Sequence, residues 1–326
     1  MLLNPMGSPK FSVIIITRNR ASLLPRVLES VINQDYEKEK YEIIVVDNNS
    51  DDNTTSIVEG FKREFPNKIH YAFEPKIGMS NARNRGVETA KGEILLFIDD
   101  DAIASTDWVT NHNNLYQSFP DIVATGGKIE LTFISKRPKW ISEELLVSLG
   151  YLDLSHMETI ISFPYHPFGV NFSVKKEQLI KLKGFFEELE NYNDEKAFFY
   201  KLYLNNYKVG YSPKASVYHQ IPASRLRKQI FVKRGIKQGI SNIKFISIFD
   251  PIRIPRFTNE LSKLLLDGLI IIRNILFYRD KYSFAQIYYL CIRWGEILGI
   301  IDWRIRKNEC RSYRHSNGQS QSPLGV

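Results

Sequence analysis

Short apolar runs alternate with helically spaced segments along the first hundred residues. Residues 11–16, 42–46, 69–72 and 94–98 read as four strands, the first and last almost continuously apolar, as in strands covered on both faces. Between them Leu24, Val27, Leu28 and Val31, then Ile57, Val58 and Phe61, recur on single helix faces. Further helices are predicted over Met79–Thr89 and residues 106–119. Strands alternating with helices build a parallel α/β sheet. Residues 126–165 are irregular and are expected to form loops. Strand character returns at 170–174, 209–211 and 216–219, with a helix over 196–205. Residues 225–244 are basic and helical, and 261–301 carry two strongly apolar helical patterns. The polar tail from Arg306 has the composition of a disordered segment. The expected organisation is a flexible 1–9, an α/β domain over 10–222, a helical region over 223–305 and a tail over 306–326.

Composition narrows this picture modestly. With 326 residues, 43% hydrophobic and 25% charged, the chain can bury a sizeable core, and disorder throughout is excluded. The net charge of +8 points to anionic partners without choosing among phosphates, nucleic acid and an acidic membrane surface. Two cysteines, Cys291 and Cys310, make neither a disulfide framework nor a Cys-based zinc site, and fit a reducing compartment. The N-terminus lacks a signal-peptide pattern, and no run approaches the roughly 18 apolar residues of a spanning helix. The expectation is a cytoplasmic protein, peripheral on the inner face of the membrane.

Chemistry concentrates at predicted strand ends. Asp99, Asp100 and Asp101 follow the strand at 94–98. Three adjacent carboxylates repel one another unless a cation neutralises them, and hard divalent cations accept one or two carboxylates plus substrate phosphates. Ligands of open α/β sheets bind outside the carboxyl ends of strands; the competing reading is a solvated turn ahead of a helix. Asp47 ends the second strand and is a candidate for a nucleotide's base or ribose, whereas Ser50, Asp51 and Asp52 suit helix capping. Thr17, Asn19 and Arg20 follow the first strand, where they would hold a base or diphosphate or simply make the strand-to-helix turn. In the segment from Gly78 to Gly86 the arginines fall on different helix faces, so at least one serves only the surface.

The order Thr17-Arg18-Asn19-Arg20, Val46-Asp47-Asn48-Asn49-Ser50-Asp51-Asp52, Gly78-Met79-Ser80-Asn81-Ala82-Arg83-Asn84-Arg85-Gly86 and Phe97-Ile98-Asp99-Asp100-Asp101-Ala102 resembles family 2 glycosyltransferases. The resemblance covers roughly residues 11–239. It implies a GT-A-like fold, a mixed and mainly parallel sheet with helices on both faces, followed here by a helical C-terminal region. It also implies inverting, metal-dependent transfer from a nucleotide-sugar donor. Asp47 then contacts the base, Arg83 lies in the nucleotide pocket, Asp99 approaches the ribose and is also a candidate metal ligand, Asp100 belongs to the donor site, and Asp101 binds Mg²⁺ or Mn²⁺ bridging the diphosphate. Gly169-Val170-Asn171-Phe172-Ser173-Val174 resembles the strand near the donor sugar. Asp194-Glu195 aligns with the family's acidic pair, placing Glu195 at the catalytic-base position. The family's preceding glycine is Asn193 here, and a shift of one residue would make Asp194 the base. His219 resembles the strand-end histidine near the metal, against the alternative of a structural histidine.

Inverting displacement needs one carboxylate to take the acceptor's proton, while a metal stabilises the departing diphosphate. The expected partners are a UDP-sugar, a glycan or lipid-linked acceptor and an anionic membrane surface, with no nucleic acid. Arg225, Arg227, Lys228, Lys233, Arg234 and Lys237 would meet diphosphate, a phospholipid-linked acceptor or lipid headgroups, or form a solvated helix face. The apolar C-terminal helices suit interfacial contact, packing on the catalytic domain or oligomerisation. Rival functions are a nucleotidyltransferase, against which residues 17–20 lack glycine, and a non-catalytic nucleotide-sugar binding protein docked on a membrane. Acceptor recognition falls to the loops at 132–165, where Trp140, Tyr151 and Tyr165 are candidates for sugar stacking or for ordinary core and surface roles.

Overall fold

Four apolar segments pair in parallel as strands β1 (Phe11–Thr17), β2 (Tyr41–Asp47), β3 (Ile69–Phe73) and β4 (Ile94–Asp99), ordered β3-β2-β1-β4. They belong to a computed structural model that describes residues 9–189, 192–277 and 284–316. The sheet continues through β8 (Asn171–Lys175), β6 (Ile122–Phe133), β9 (Lys208–Ile221) and β5 (Ala102–Ala104), with β7 (Thr159–Ile161) also beside β9. β6 and β9 pair in parallel, whereas the pairings of β8 with β4 and β6, and of β9 with β5 and β7, are antiparallel. The sheet is therefore mixed, with its parallel half carrying the strand ends singled out in the sequence.

Successive strand residues point to opposite faces, so each strand feeds two cores. Phe11, Val13, Ile15, Ile43 and Val45 pack with Leu24 and Val27 of α1 (Leu24–Ile32), Val58 of α2 (Thr54–Glu64) and Trp108 of α4 (Trp108–Ser118). Ile14, Ile44, Val46 and Phe97 pack on the other side. They meet α3 (Met79–Thr89) at Ala82, α5 (Lys176–Lys181) at Leu179, and α6 (Asp194–Leu204) at Phe198 and Leu202. Helices thus cover both faces.

The expected loop region at 126–165 contains most of β6, a twelve-residue strand. A Cβ on its Gly127 would run into the carbonyl oxygen of Ala215 and the side chain of Asn171. Glycine is there for close approach of neighbouring chains. The two short strands expected at 209–211 and 216–219 are one strand, β9, whose register against β6 shifts between Gly127 and Ile129, opposite the stretch containing Pro213. A bulge accommodates the proline, which cannot donate to a ladder.

The chain divides into two compact units, Met1–Leu226 and Arg227–Val326; the expected break fell at 222. In the second unit lie α7 (Lys228–Phe249), α8 (Phe257–Phe277) and α9 (Phe284–Ser316). α7 and α9 touch through glycines spaced four apart: a Cβ on Gly239 would meet the carbonyl oxygen of Ile292, and one on Gly295 that of Ile236. Small residues at this spacing let helix backbones approach closely. α9 runs eleven residues into the expected tail, because no glycine or proline interrupts the sequence between Ile300 and Ser316. Residues 317–326 and 1–8 lie outside the described residues.

Candidate active site

Parallel register brings the polar strand ends to one rim of the sheet. Thr17 sits opposite Asp47, and Ile16 opposite Asp99. Asp100 and Asp101 follow, both buried. Thr17 Oγ1 donates to Asp100 Oδ2 at 2.7 Å, and Arg20 Nη1 donates to Asp100 Oδ1 at 2.6 Å and to Asp101 Oδ2 at 3.0 Å. Burial pushes the Asp100 carboxyl up to about 6, with Arg20 opposing. Asp99, half-buried at the rim, is likewise pushed up by burial, with the Arg83 charge opposing.

Asp101 is the most heavily engaged of the three. β5 pairs with β9 so that Ala102 lies opposite His219, which sets His219 Nε2 3.2 Å from Asp101 Oδ1. Arg225, on the turn after β9, places Nη2 2.7 Å from Asp101 Oδ2 and Nη1 3.0 Å from His219 Nε2. Burial works against ionisation of Asp101, yet the charges of Arg225 and Arg20 hold it below the usual carboxylate range. A guanidinium only donates, so an Nε2 that accepts from Arg225 has no proton for Asp101. Asp101 Oδ1 and His219 Nδ1 are in fact buried without a hydrogen-bond partner. His219 Nδ1 faces Gly150, so the carboxylate–imidazole pair that fits a divalent cation is Asp101 Oδ1 with His219 Nε2, 3.2 Å apart. Among the described residues no three His, Cys, Asp or Glu side chains form a ready-made cation cage.

A second cluster adjoins the first through Arg83, which is 1% exposed and projects from α3. Its Nη1 pairs with Asp194 Oδ2 and lies 3.9 Å from Glu195 Oε2. Burial opposes its charge, but Asp194, Glu195 and Asp99, in that order, raise its affinity for the proton. The Arg83 guanidinium thus pairs directly with Asp194 and also feels the charge of Asp99, more than ninety positions from Asp194 in the chain. Gly169 makes room for it, since a Cβ there would collide with Nη2. Gly169→Ala is expected to displace the guanidinium and lower the melting temperature by several degrees, corresponding to ~1–3 kcal/mol; an unchanged melt would remove Gly169 from the site.

Asp194 and Glu195 open α6, where the helix dipole favours acidic residues. Asn193 before them has φ 64°, a left-handed conformation that glycine adopts freely and asparagine tolerates. The replacement of the family's glycine by Asn193 therefore preserves the turn. The two carboxylates differ. Asp194 is fully buried, and although desolvation opposes it, Arg83 holds its proton affinity below the ordinary value. Glu195 is 22% exposed at its side chain; burial first, then the charge of Asp194, push it well above the ordinary value.

The other sequence candidates have partners within the protein. Asp47 is 1% exposed and accepts from the Ser50 amide at 2.9 Å, Tyr71 Oη at 3.0 Å and Thr55 Oγ1 at 3.3 Å, so its internal partners organise the loop after β2. Asn19, at φ 54°, accepts from the Asp51 amide at 2.9 Å, and its own amide donates to Ser50 Oγ at 3.0 Å. Ser50 and Asp51 thus tie two rim loops together rather than cap α2; Asp52 meets the first α2 amide, that of Thr54, at 3.0 Å. Asn171 is buried, accepting from Trp108 Nε1 at 2.8 Å and donating to the carbonyl oxygen of Ala215. Arg85 pairs with Glu88 on the surface. Tyr165 lines an aromatic cleft of about 280 Å³ with Phe163, Phe199 and Tyr203. Sequence reading singled out neither Gly169 as a spacer nor Ser80, whose Oγ lies 3.4 Å from Asp194 Oδ2. Arg225 stood only as one of a basic run, and its place six residues after His219 was the available signal.

Residues 12–172 match the family model described as Glycosyl transferase family 2. The chain belongs to that family. This family 2 glycosyltransferase is 25% identical over 244 residues to the glucosyl-dolichyl phosphate glucuronosyltransferase of Haloferax volcanii, covering 71% of this chain and 76% of the relative. It is 40% identical over 95 residues to the GalNAc(5)-diNAcBac-PP-undecaprenol beta-1,3-glucosyltransferase of Campylobacter jejuni, covering 28% of this chain and 30% of the relative. Among solved structures it resembles the mannosyltransferase PcManGT of Pyrobaculum calidifontis in complex with GDP-Man and Mn²⁺. That likeness has a TM-score of 0.60 at 19% identity, over 90% of this chain and 88% of the other. The S. aureus TarS 1–349 structure with UDP gives a TM-score of 0.51 at 17% identity, over 97% and 94%. These likenesses establish the GT-A fold, and family membership sets aside the nucleotidyltransferase reading.

Proposed function

We propose that this glycosyltransferase moves a sugar from a UDP-sugar to a hydroxyl of a glycan or lipid-linked acceptor, with inversion, and that Glu195 is the base. The observation that carries this reading is the asymmetry around Arg83. With Asp194 committed to the guanidinium, Glu195 is the carboxylate left with a raised proton affinity and access to solvent. A base tuned upward, near the operating pH, is what general-base catalysis requires. In a single displacement the acceptor oxygen attacks the anomeric carbon as the bond to the diphosphate breaks. Glu195 takes the hydroxyl proton, and the electron pair leaves with the nucleoside diphosphate.

Asp101 and His219 would hold Mg²⁺ or Mn²⁺, which supplies charge stabilisation for the leaving diphosphate. Arg20 and Arg225, now on Asp101, are placed to turn toward the diphosphate oxygens. Thr17 fixes Asp100, and Asp99 stands at the rim for the ribose. The donor and acceptor classes draw on the relatives: TarS is seen with UDP, and the names of the H. volcanii and C. jejuni enzymes carry lipid-linked phosphates.

The test is transfer by purified protein from a panel of UDP-sugars, with Mn²⁺ or Mg²⁺ and after chelation. Chelation and Asp101→Asn are each expected to lower transfer by about 10²–10³-fold. Transfer that survives both would remove the metal from the reading.

A further inference from the structure

The net charge of the chain is unevenly distributed. Residues 227–326 hold 18 Lys and Arg against 7 Asp and Glu, whereas residues 1–226 hold 26 against 29. The positive excess therefore belongs to the second unit.

That unit also exposes apolar side chains in an ordered way. Along α8 the outward positions begin polar, with Thr258, Asn259, Ser262 and Lys263 exposed. From Leu265 they turn apolar: Leu265, Leu266, Leu269, Ile270 and Ile272 are between 37% and 64% exposed. α9 repeats the pattern, with Trp294, Ile301 and Ile305 at helical spacing and 39% to 53% exposed, beside exposed Arg304 and Lys307. Ile252, between Pro251 and the exposed Arg253, is 94% exposed. Scattered surface leucines are ordinary, but five large apolar side chains within two helical turns mark an interaction face. The acidic residues of α8 do not oppose it: Glu260 is buried on Lys263 and Arg293, and Asp267 pairs with Arg293 at 2.7 Å.

We propose that the exposed face of α8 and α9 lies in the plane of an anionic phospholipid surface. Leu265, Leu266, Leu269 and Ile272 would enter the acyl boundary, and the basic residues would meet headgroup phosphates. Apolar depth and cationic flanks are the two contributions that hold an interfacial helix. Among the described residues no helix is long and apolar enough to cross a membrane, which leaves in-plane contact as the mode. A second copy of the chain is a poorer occupant, because a two-fold contact would set two strongly cationic units against each other. The inference rests on this unit alone and is independent of the transferase reading.

Full-length protein floated with vesicles tests it. Binding to phosphatidylglycerol-containing vesicles is expected to exceed binding to pure phosphatidylcholine at least ~10-fold, and to weaken on raising salt from about 0.1 to about 0.5 M. Leu265→Asp with Leu269→Asp should reduce binding at least ~10-fold with an unchanged thermal melt. Arg304→Glu with Lys307→Glu, which leaves the apolar side chains intact, should remove the preference for anionic lipid. Equal binding to both vesicle types, or binding unaffected by the aspartate pair, would overturn the proposal. A dimer in sedimentation that the aspartate pair converts to monomer would overturn it in favour of self-association.

Discussion

Glu195→Gln is expected to lower kcat about 10²–10⁴-fold while UDP affinity stays within about twofold, because the change removes proton acceptance and nothing that holds the nucleotide. Asp194→Asn provides the contrast: it removes the partner of a buried guanidinium, so its loss of activity should come with a loss of stability. The pH profile separates the two roles. A base works only when deprotonated, and the Glu195 proton affinity is raised. For the wild type kcat/KM should therefore rise with pH through a value above that of an ordinary glutamate and level off beyond it. Glu195→Gln should retain a low rate without that acid limb. A wild-type profile that is flat from acid to neutral pH, or a variant that keeps both rate and limb, would move the base elsewhere.

Arg83→Met should produce the largest loss of stability of any substitution at the site, about 3–5 kcal/mol at neutral pH, since it strands the buried Asp194 carboxylate without its counter-ion. The sign with pH is informative. In the wild type the Asp194 affinity is held below the unfolded value, so the pair stabilises the fold above the unfolded carboxylate pKa, and that contribution fades as pH falls through the lower folded value. Without Arg83 the buried carboxyl is raised instead. The variant should then gain stability relative to wild type on acidification, as Asp194 becomes neutral. Denaturant midpoints at neutral and acidic pH would show the gap narrowing. A constant gap would mean that Arg83 contributes packing against Phe185, whose ring centroid lies 5.6 Å away, rather than charge.

The parts legible in the sequence were those that follow from chain-local rules. Strands ending in Thr17, Asp47 and Asp99 announced a sheet rim, because burial on both faces keeps the residues just before each end apolar. The helix at Met79–Thr89 and the acidic start of α6 were readable for the same reason. β6 was hidden because Gly126 makes room for Pro167 and Gly127 for Ala215, contacts about forty and nearly ninety residues distant. β9 looked like two strands because Pro213 breaks local propensity, while its neighbours in the sheet carry it through.

At the site, residue types pointed to carboxylate chemistry, but which carboxylate does what depends on partners no local pattern contains. Arg83 decides between Asp194 and Glu195, and Arg225 with His219 decides the state of Asp101. Asp47 is a further case: its strand-end position is local, whereas its partners Tyr71 and Thr55 come from β3 and α2.

The most direct check on a metal-completed nucleotide pocket at the rim of β1 and β4 is calorimetric titration of UDP into the wild type and Asp101→Asn, each with and without Mn²⁺. The expected result is at least ~10-fold tighter binding to the wild type when Mn²⁺ is present, and no such gain in Asp101→Asn. Equal UDP affinity with and without Mn²⁺ in the wild type would contradict it.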